Sequence, residues 1–133
     1  MVITRKSSLL LNLFNVRVVV DGSKIYQLDK DRSVVIGCSN SRPRIVVTNG
    51  FHHSPCFEVM YNQIQVHYFN VVCALDDNLL AAGSLLLILL YIAGLTSGII
   101  LLKVISFLPI LYFLYVYYIN RKEFIQIKQS HHI

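Results

Sequence analysis

Residues 79–119 read LLAAGSLLLILLYIAGLTSGIILLKVISFLPILYFLYVYYI, 41 residues with one charge, Lys103. As a single helix this block would run about 62 Å at 1.5 Å per residue. A bilayer hydrocarbon core is about 30 Å thick and is crossed by roughly 20 apolar residues. One straight span is therefore twice too long, and two spans fit. Gly94-Leu95-Thr96-Ser97-Gly98 is the natural break, because glycine is costly inside a helix and useful at its end. This predicts a tight transmembrane hairpin, with helices near 76–95 and 99–119. Asp76, Asp77 or Asn78 would cap the first helix and meet its dipole. A rival turn at Lys103 leaves spans of 79–102 and 104–119, the second short for a crossing.

Under the first division Lys103 sits one turn inside the second helix. There it serves either as a snorkelling anchor or, with a carboxylate partner, in an ion or proton path. No acidic residue lies between 79 and 119. Pro109 removes one backbone hydrogen bond and predicts a kink, with Ser106 placed to satisfy freed groups. Gly94-x-x-x-Gly98 also matches a helix-packing pattern, although it spans the expected turn. Tyr112, Phe113, Tyr115, Tyr117 and Tyr118 followed by Arg121 and Lys122 mark a cytoplasmic membrane boundary. A hairpin returns both flanks to one side, so both termini are expected in the cytoplasm of a bacterial inner membrane. Arg5, Lys6 and Leu9–Leu11 imitate a signal peptide, but Asn12 and Asn15 interrupt the run.

Upstream the period changes to two. Val18-Val19-Val20, Asp21-Gly22 and Lys24-Ile25-Tyr26-Gln27-Leu28 form a strong hairpin signal. Lys30-Asp31-Arg32 is the next turn, before Ser33–Ile36. Residues 37–43 are a loop, Arg44–Thr48 a strand, and Asn49-Gly50 a turn. Cys56–Tyr61 is the next strand, followed by an Asn62-Gln63 turn. Ile64–Phe69, continuing toward Cys73, is a strand whose Ile64/Val66/Tyr68 face is buried. The fold class expected is α+β: an antiparallel β-sandwich of about six short strands, then two transmembrane helices. The divisions are an N-terminal arm over 1–15, a sandwich over 16–74, the hairpin over 75–119 and a basic cytoplasmic tail over 120–133. The tail, alternating through Glu123-Phe124-Ile125-Gln126-Ile127-Lys128, either lies on the membrane or adds a strand.

Val18–Ile25, Val34-Val35-Ile36 and Arg44-Ile45-Val46-Val47 together resemble a PEGA-like domain, a small β-sandwich module of bacterial envelope proteins, over about residues 16–72. Lys30-Asp31-Arg32 lacks the family's turn glycine, and Ser41-Arg42-Pro43-Arg44 replaces its glycine and histidine. The resemblance implies a structural module with no catalytic residues to transfer. The layout also resembles small bacterial membrane proteins that join such a domain to a C-terminal helix hairpin.

Candidate chemistry centres on His52-His53-Ser54-Pro55-Cys56. Zinc wants four ligands, and this stretch supplies three; His67, Cys73 and Cys38 would have to complete the set. A Cys56 thiolate would need His53 as a base and a third orienting group. The plainer reading makes His52 and His53 polar loop residues and Cys56 a small strand residue. Three cysteines suit reduced thiols; outside the cytoplasm, Cys38–Cys56 would be the pair to test. Asp29 and Asp31 read as a solvated turn. Arg5, Lys6, Arg42, Arg44, Arg121, Lys122 and Lys128 suit an anionic lipid surface. The 8 basic and 6 acidic side chains of residues 1–78 balance too closely for nucleic acid. His131-His132 reads as a chain end. The expectation is a non-enzymatic, membrane-anchored binding or scaffold module with no cofactor, metal or catalytic site. Its partners are the lipid bilayer and either a protein or a second copy. The alternative is a helix-hairpin oligomer acting as a transport or channel accessory through Lys103 and Ser106.

Overall fold

The computed structural model describes residues 1–60, 62 and 64–130. Tyr61 in the expected 56–61 strand, Gln63 in the expected turn, and His131-His132 lie outside the described residues. The chain divides into two units: Met1–Ala74 together with the chain from Arg121 onward, and Leu75–Asn120.

The first unit is two four-stranded sheets. One has the order β4(Ser33–Val35), β1(Val2–Arg5), β7(Tyr68–Cys73), β8(Ile125–Gln129). The other has the order β3(Lys24–Leu28), β2(Val16–Val20), β5(Arg44–Thr48), β6(Phe57–Glu58). The expected six strands are present and two more join them, one from the arm and one from the tail. The first sheet is mixed rather than antiparallel, because β1 pairs parallel with β7 from Val2↔Tyr68 to Arg5↔Val71. A parallel partner requires a long crossover, and here the whole second sheet fills it. The tail forms a strand: β8 pairs antiparallel with β7 from Phe69↔Gln129 to Cys73↔Ile125. The Ala74 amide then donates to the Phe124 carbonyl at 2.9 Å.

The turns follow their chemistry. Asp21 (φ 52°) and Gly22 (φ 69°) both take positive φ, as the Asp-Gly signal requires. Asp21 also ties β2 to β5, since its carboxylate accepts from the Arg44 amide at 2.9 Å. In the glycine-less turn Asp31 takes φ 58°, a conformation aspartate tolerates.

Inward-facing side chains alternate as the pleat demands. Ile3, Phe69, Val71 and Cys73 of the first sheet and Val16, Val18, Val20, Leu28, Ile45 and Val47 of the second are buried. Phe57 meets Phe69 across the sheets at 5.6 Å between centroids. The expected Ile64/Val66/Tyr68 face is corrected: Ile64, Val66 and Tyr68 are exposed, and the strand begins at Tyr68 with the opposite parity inward. Pairing on both sides of β7 sets that register, and a one-residue shift exchanges the faces. Helix α1(Leu9–Leu13) is capped by Ser8, whose hydroxyl accepts from the Leu11 amide, and buries Leu10 and Leu11.

The sandwich therefore has two ends. At the exit end, β7 stops, β8 starts, and α1 and the loop after β5 are found. At the far end lie the Asp21-Gly22 turn, the loop before β5 and the approach to β7; there Val59 donates to Pro43, and Val2 to His67.

The second unit holds two helices long and apolar enough to cross a membrane, Asp77–Ser97 and Ile100–Ile119. Only 6% and 11% of their apolar windows are buried, unlike the core helices of a folded globule. α2(Asp77–Ser97) starts after Asp76, which occupies the cap position with no side-chain cap bond, and places Asp77 in the first turn. It ends at Gly98 in the left-handed conformation, φ 70°. The turn thus falls at Gly98, not at Lys103. Gly94 serves another purpose: a Cβ there would lie 2.9 Å from Lys103 Cγ and 3.0 Å from its backbone nitrogen. Gly83, three turns earlier on the same face, would place a Cβ 3.6 Å from that of Pro109. The second arm consists of α3(Ile100–Ile105), α4(Leu108–Leu114) and a π-helical turn over Tyr115–Ile119. It breaks at Ser106–Phe107, just before Pro109 in the first turn of α4. Ser106 is buried and its hydroxyl donates to the Lys103 carbonyl at 2.6 Å. Phe113 stacks on Tyr117 at 5.9 Å, and Tyr117 meets Tyr118 edge-on at 5.0 Å.

Two outcomes are expected. Phe124→Ala, at a fully buried ring, lowers stability by about 3–5 kcal/mol in denaturant unfolding. Gly94→Ala forces the hairpin arms apart and costs about 1–3 kcal/mol, whereas Gly37→Ala, in open space, is neutral by the same measurement.

Candidate functional site

The most reactive-looking stretch of the sequence is taken into the core. Asn49 organises the loop after β5: its side-chain oxygen accepts from the amides of Phe51 at 3.0 Å and His52 at 2.7 Å. Thr48 closes it, its hydroxyl donating to the His52 carbonyl at 2.8 Å and accepting from the Gly50 amide at 3.0 Å. Gly50 supplies φ 94°. His52 is carried inward and is fully buried. Its ring stacks on Phe124 at 4.2 Å and 22°, and meets Phe51 edge-on at 4.8 Å. Phe14 contacts both His52 and Phe124, at 6.3 and 6.1 Å. The imidazole Nδ1 lies 3.1 Å from the Asn49 amide nitrogen, which donates to it when Nδ1 is unprotonated. Arg121 covers the outer ring, 4.8 Å above Phe51. The reading of His52 as a polar loop histidine is thus corrected: it is the aromatic keystone that receives the tail.

The other candidates are scattered. His53 is exposed and bridges to Thr48. Cys56 is exposed on the outer face of the second sheet, beside an open hollow of about 500 Å³ lined with Asp21, Asn40 and Arg44. Arg44 is paired there with Glu58 at 2.9 Å. Cys38 is half-buried, and burial raises its thiol pKa, keeping it protonated and weakly nucleophilic. Cys73 is buried, and His67 stacks near Phe69 at 6.4 Å. All three thiols are free, and among the described residues no three His, Cys, Asp or Glu side chains gather as metal ligands. Arg5 is buried in β1, donating to the carbonyls of Leu28 at 3.2 Å and Phe14 at 3.4 Å. It joins the two sheets and leaves the surface basic set. Asp29 and Asp31 are exposed turn residues.

In the helical unit, an apolar cleft of about 590 Å³ runs between the arms, lined by Leu79, Gly83, Leu87, Leu108, Pro109 and Tyr112 among others. Lys103 is half-buried with its stem against Gly94.

The feature that stands out chemically is an exposed apolar surface at the far end of the sandwich. Register places Val35, Val2 and Tyr68 in one row on the outer face of the first sheet. Val35 is 74% exposed, and Met60 and Ile64 in the adjoining segment are 75% and 89% exposed. Val66 is also exposed. Sequence reading missed this surface because alternation at Ile64–Tyr68 imitates a buried face. The chain matches no protein-family model, no curated protein and no solved structure.

The His52 geometry makes a direct forecast. His52→Ala, which empties the stack on Phe124, costs about 2–5 kcal/mol of stability. His52→Phe, which keeps the stacked ring, recovers most of that loss, and His53→Ala changes nothing measurable. Chemical denaturation followed by tyrosine fluorescence reads all three.

Proposed function

We propose that this protein is a membrane-anchored β-sandwich that acts as a non-enzymatic binding or scaffold module, presenting the far end of the sandwich to a protein partner. The observation that carries the reading is the exposed Val35/Met60/Ile64/Val66 surface, at the opposite end of the sandwich from the chain's exit into two membrane-length helices. Exposed apolar side chains gathered at one end of a domain favour an interaction site. A PEGA-like ancestry fits such a module.

The anchor is a two-pass hairpin in a bacterial inner membrane. Both helices are apolar all round, which leaves lipid as the solvent that satisfies them. β7 precedes the hairpin and β8 follows it, and the two are hydrogen-bonded neighbours. That pairing supports a topology with both flanks on one side. Arg121 and Lys122 directly after the second arm favour the cytoplasmic side. The transport-accessory alternative draws on Lys103 against Gly94, but no carboxylate lies within 79–119 to form a relay.

Two measurements test this. After alkaline washing the protein is expected in the membrane pellet; release into the supernatant sinks the anchor. With Cys38, Cys56 and Cys73 replaced by alanine, Ser97→Cys is expected to react with an impermeant maleimide in intact cells, while a cysteine at Gln129 reacts only after lysis. The reverse pattern inverts the topology.

A further inference from the structure

We infer that the exit end of the sandwich is itself a lipid-docking face that lies in the membrane interface. The inference rests on the anchored reading above and adds a second, peripheral contact to it.

The topology carries the argument. β1 and β7 run parallel, so the C-terminal end of β1, and α1 after it, share the end at which β7 releases the chain at Ala74. β8 begins at that same end, directly after Arg121–Phe124. The loop after β5 is brought there by the His52–Phe124 stack. Three apolar side chains face outward around this point. Leu9 and Leu13, one turn apart on α1, are 60% and 72% exposed, while Leu10 and Leu11 between them are buried. Phe51 is 41% exposed at the tip of its loop, with Arg121 lying 4.8 Å over its ring. Lys6 and Lys122, both exposed, lie on the rim with the exposed turn Asp29-Lys30-Asp31-Arg32, which the register of β3 and β4 brings to the same end, and Glu123 offsets one of the three positive charges of Lys6, Arg121 and Lys122.

A one-turn helix that buries two leucines and presents two others to the outside is amphipathic and offers its outer pair to an apolar surface. An aromatic ring beside a guanidinium is the composition of an interfacial anchor, its apolar body in the acyl boundary and its charge among the headgroups. The occupant is set by continuity. The polypeptide leaves this end directly into two helices long and apolar enough to span, which makes a bilayer the occupant proposed for Leu9, Leu13 and Phe51. The face is apolar first and charged second: the Asp29-Lys30-Asp31-Arg32 turn carries two charges of each sign, and Glu123 offsets one of the remaining cations. Binding therefore depends on the interface more than on anionic lipid.

The chain contains no tryptophan, so single reporters can be placed in the full-length protein. Leu13→Trp, Ile25→Trp and Leu89→Trp would each be reconstituted into phosphatidylcholine vesicles with or without bromines near the top of the acyl chains. All three positions are exposed, so the larger ring needs no room in the core. Leu13→Trp is expected to lose about half of its emission to bromine, since an interfacial residue sits about 5–10 Å into the headgroup–acyl boundary. Ile25→Trp, at the far end, is expected to be unaffected. Phe51→Trp repeats the Leu13 result from a different element. Leu89→Trp quenched with Leu13→Trp and Phe51→Trp unquenched overturns the docking face and leaves the anchor standing. Equal quenching of Leu13→Trp and Ile25→Trp also overturns it, because the contact would then have no preferred end. Leu89→Trp unquenched removes the anchor and the docking face together.

Discussion

The pairing of β7 with β8 is the constraint on which the rest depends. Five register pairs and the Ala74–Phe124 bond join two strands that stand about fifty residues apart in the chain. Everything between them must leave the sheet and return to the same edge of β7. The helical unit therefore starts and ends beside the same strand. The pairing also means that the sandwich does not close until the second arm has been made. Phe124 and Ile125, both fully buried, then enter the core. The tail is therefore a structural element of the β unit, and the helical hairpin is an excursion between two neighbouring strands.

Within the helical unit the balance of forces is different. The arms are apolar on all faces, and close packing at small residues decides how they approach. Gly94 permits the second arm to approach until Lys103 Cγ and its backbone occupy the space of a side chain. Gly98 closes the first helix with a positive φ. The two glycines of one G-x-x-x-G pattern thus serve separate ends, one the approach of the arms and the other the turn. The Ser106 hydroxyl, bonded to the Lys103 carbonyl, supports the break that Pro109 imposes.

The histidine–cysteine stretch shows why local composition misleads about chemistry. Imidazole beside thiol looks like a reactive pair, yet His52 and His53 point into different surroundings, one a stack of phenyl rings and the other solvent. The deciding residue, Phe124, lies 72 positions downstream. No local pattern links the two. The same distance explains the missed strands: Val2–Arg5 is too short to announce itself, and its partners come from residues 33–35 and 68–71. The inverted reading of Ile64–Tyr68 has the same source, since a period of two identifies a pair of faces without saying which is inward.

Composition and local rules by themselves determined the two-part plan. A 41-residue block with one charge has to be a doubled helix of membrane length, its turn falls where glycines and hydroxyls interrupt it, and Asp21-Gly22 has to turn. These are short-range matters of hydration, helix pitch and allowed φ. Only the tertiary structure decided that the arm and the tail complete the first sheet, that β1 runs parallel to β7, and that His52 is a core ring. Each of those depends on contacts between residues far apart in sequence, where the register with the most apolar burial and the fewest unpaired backbone groups prevails.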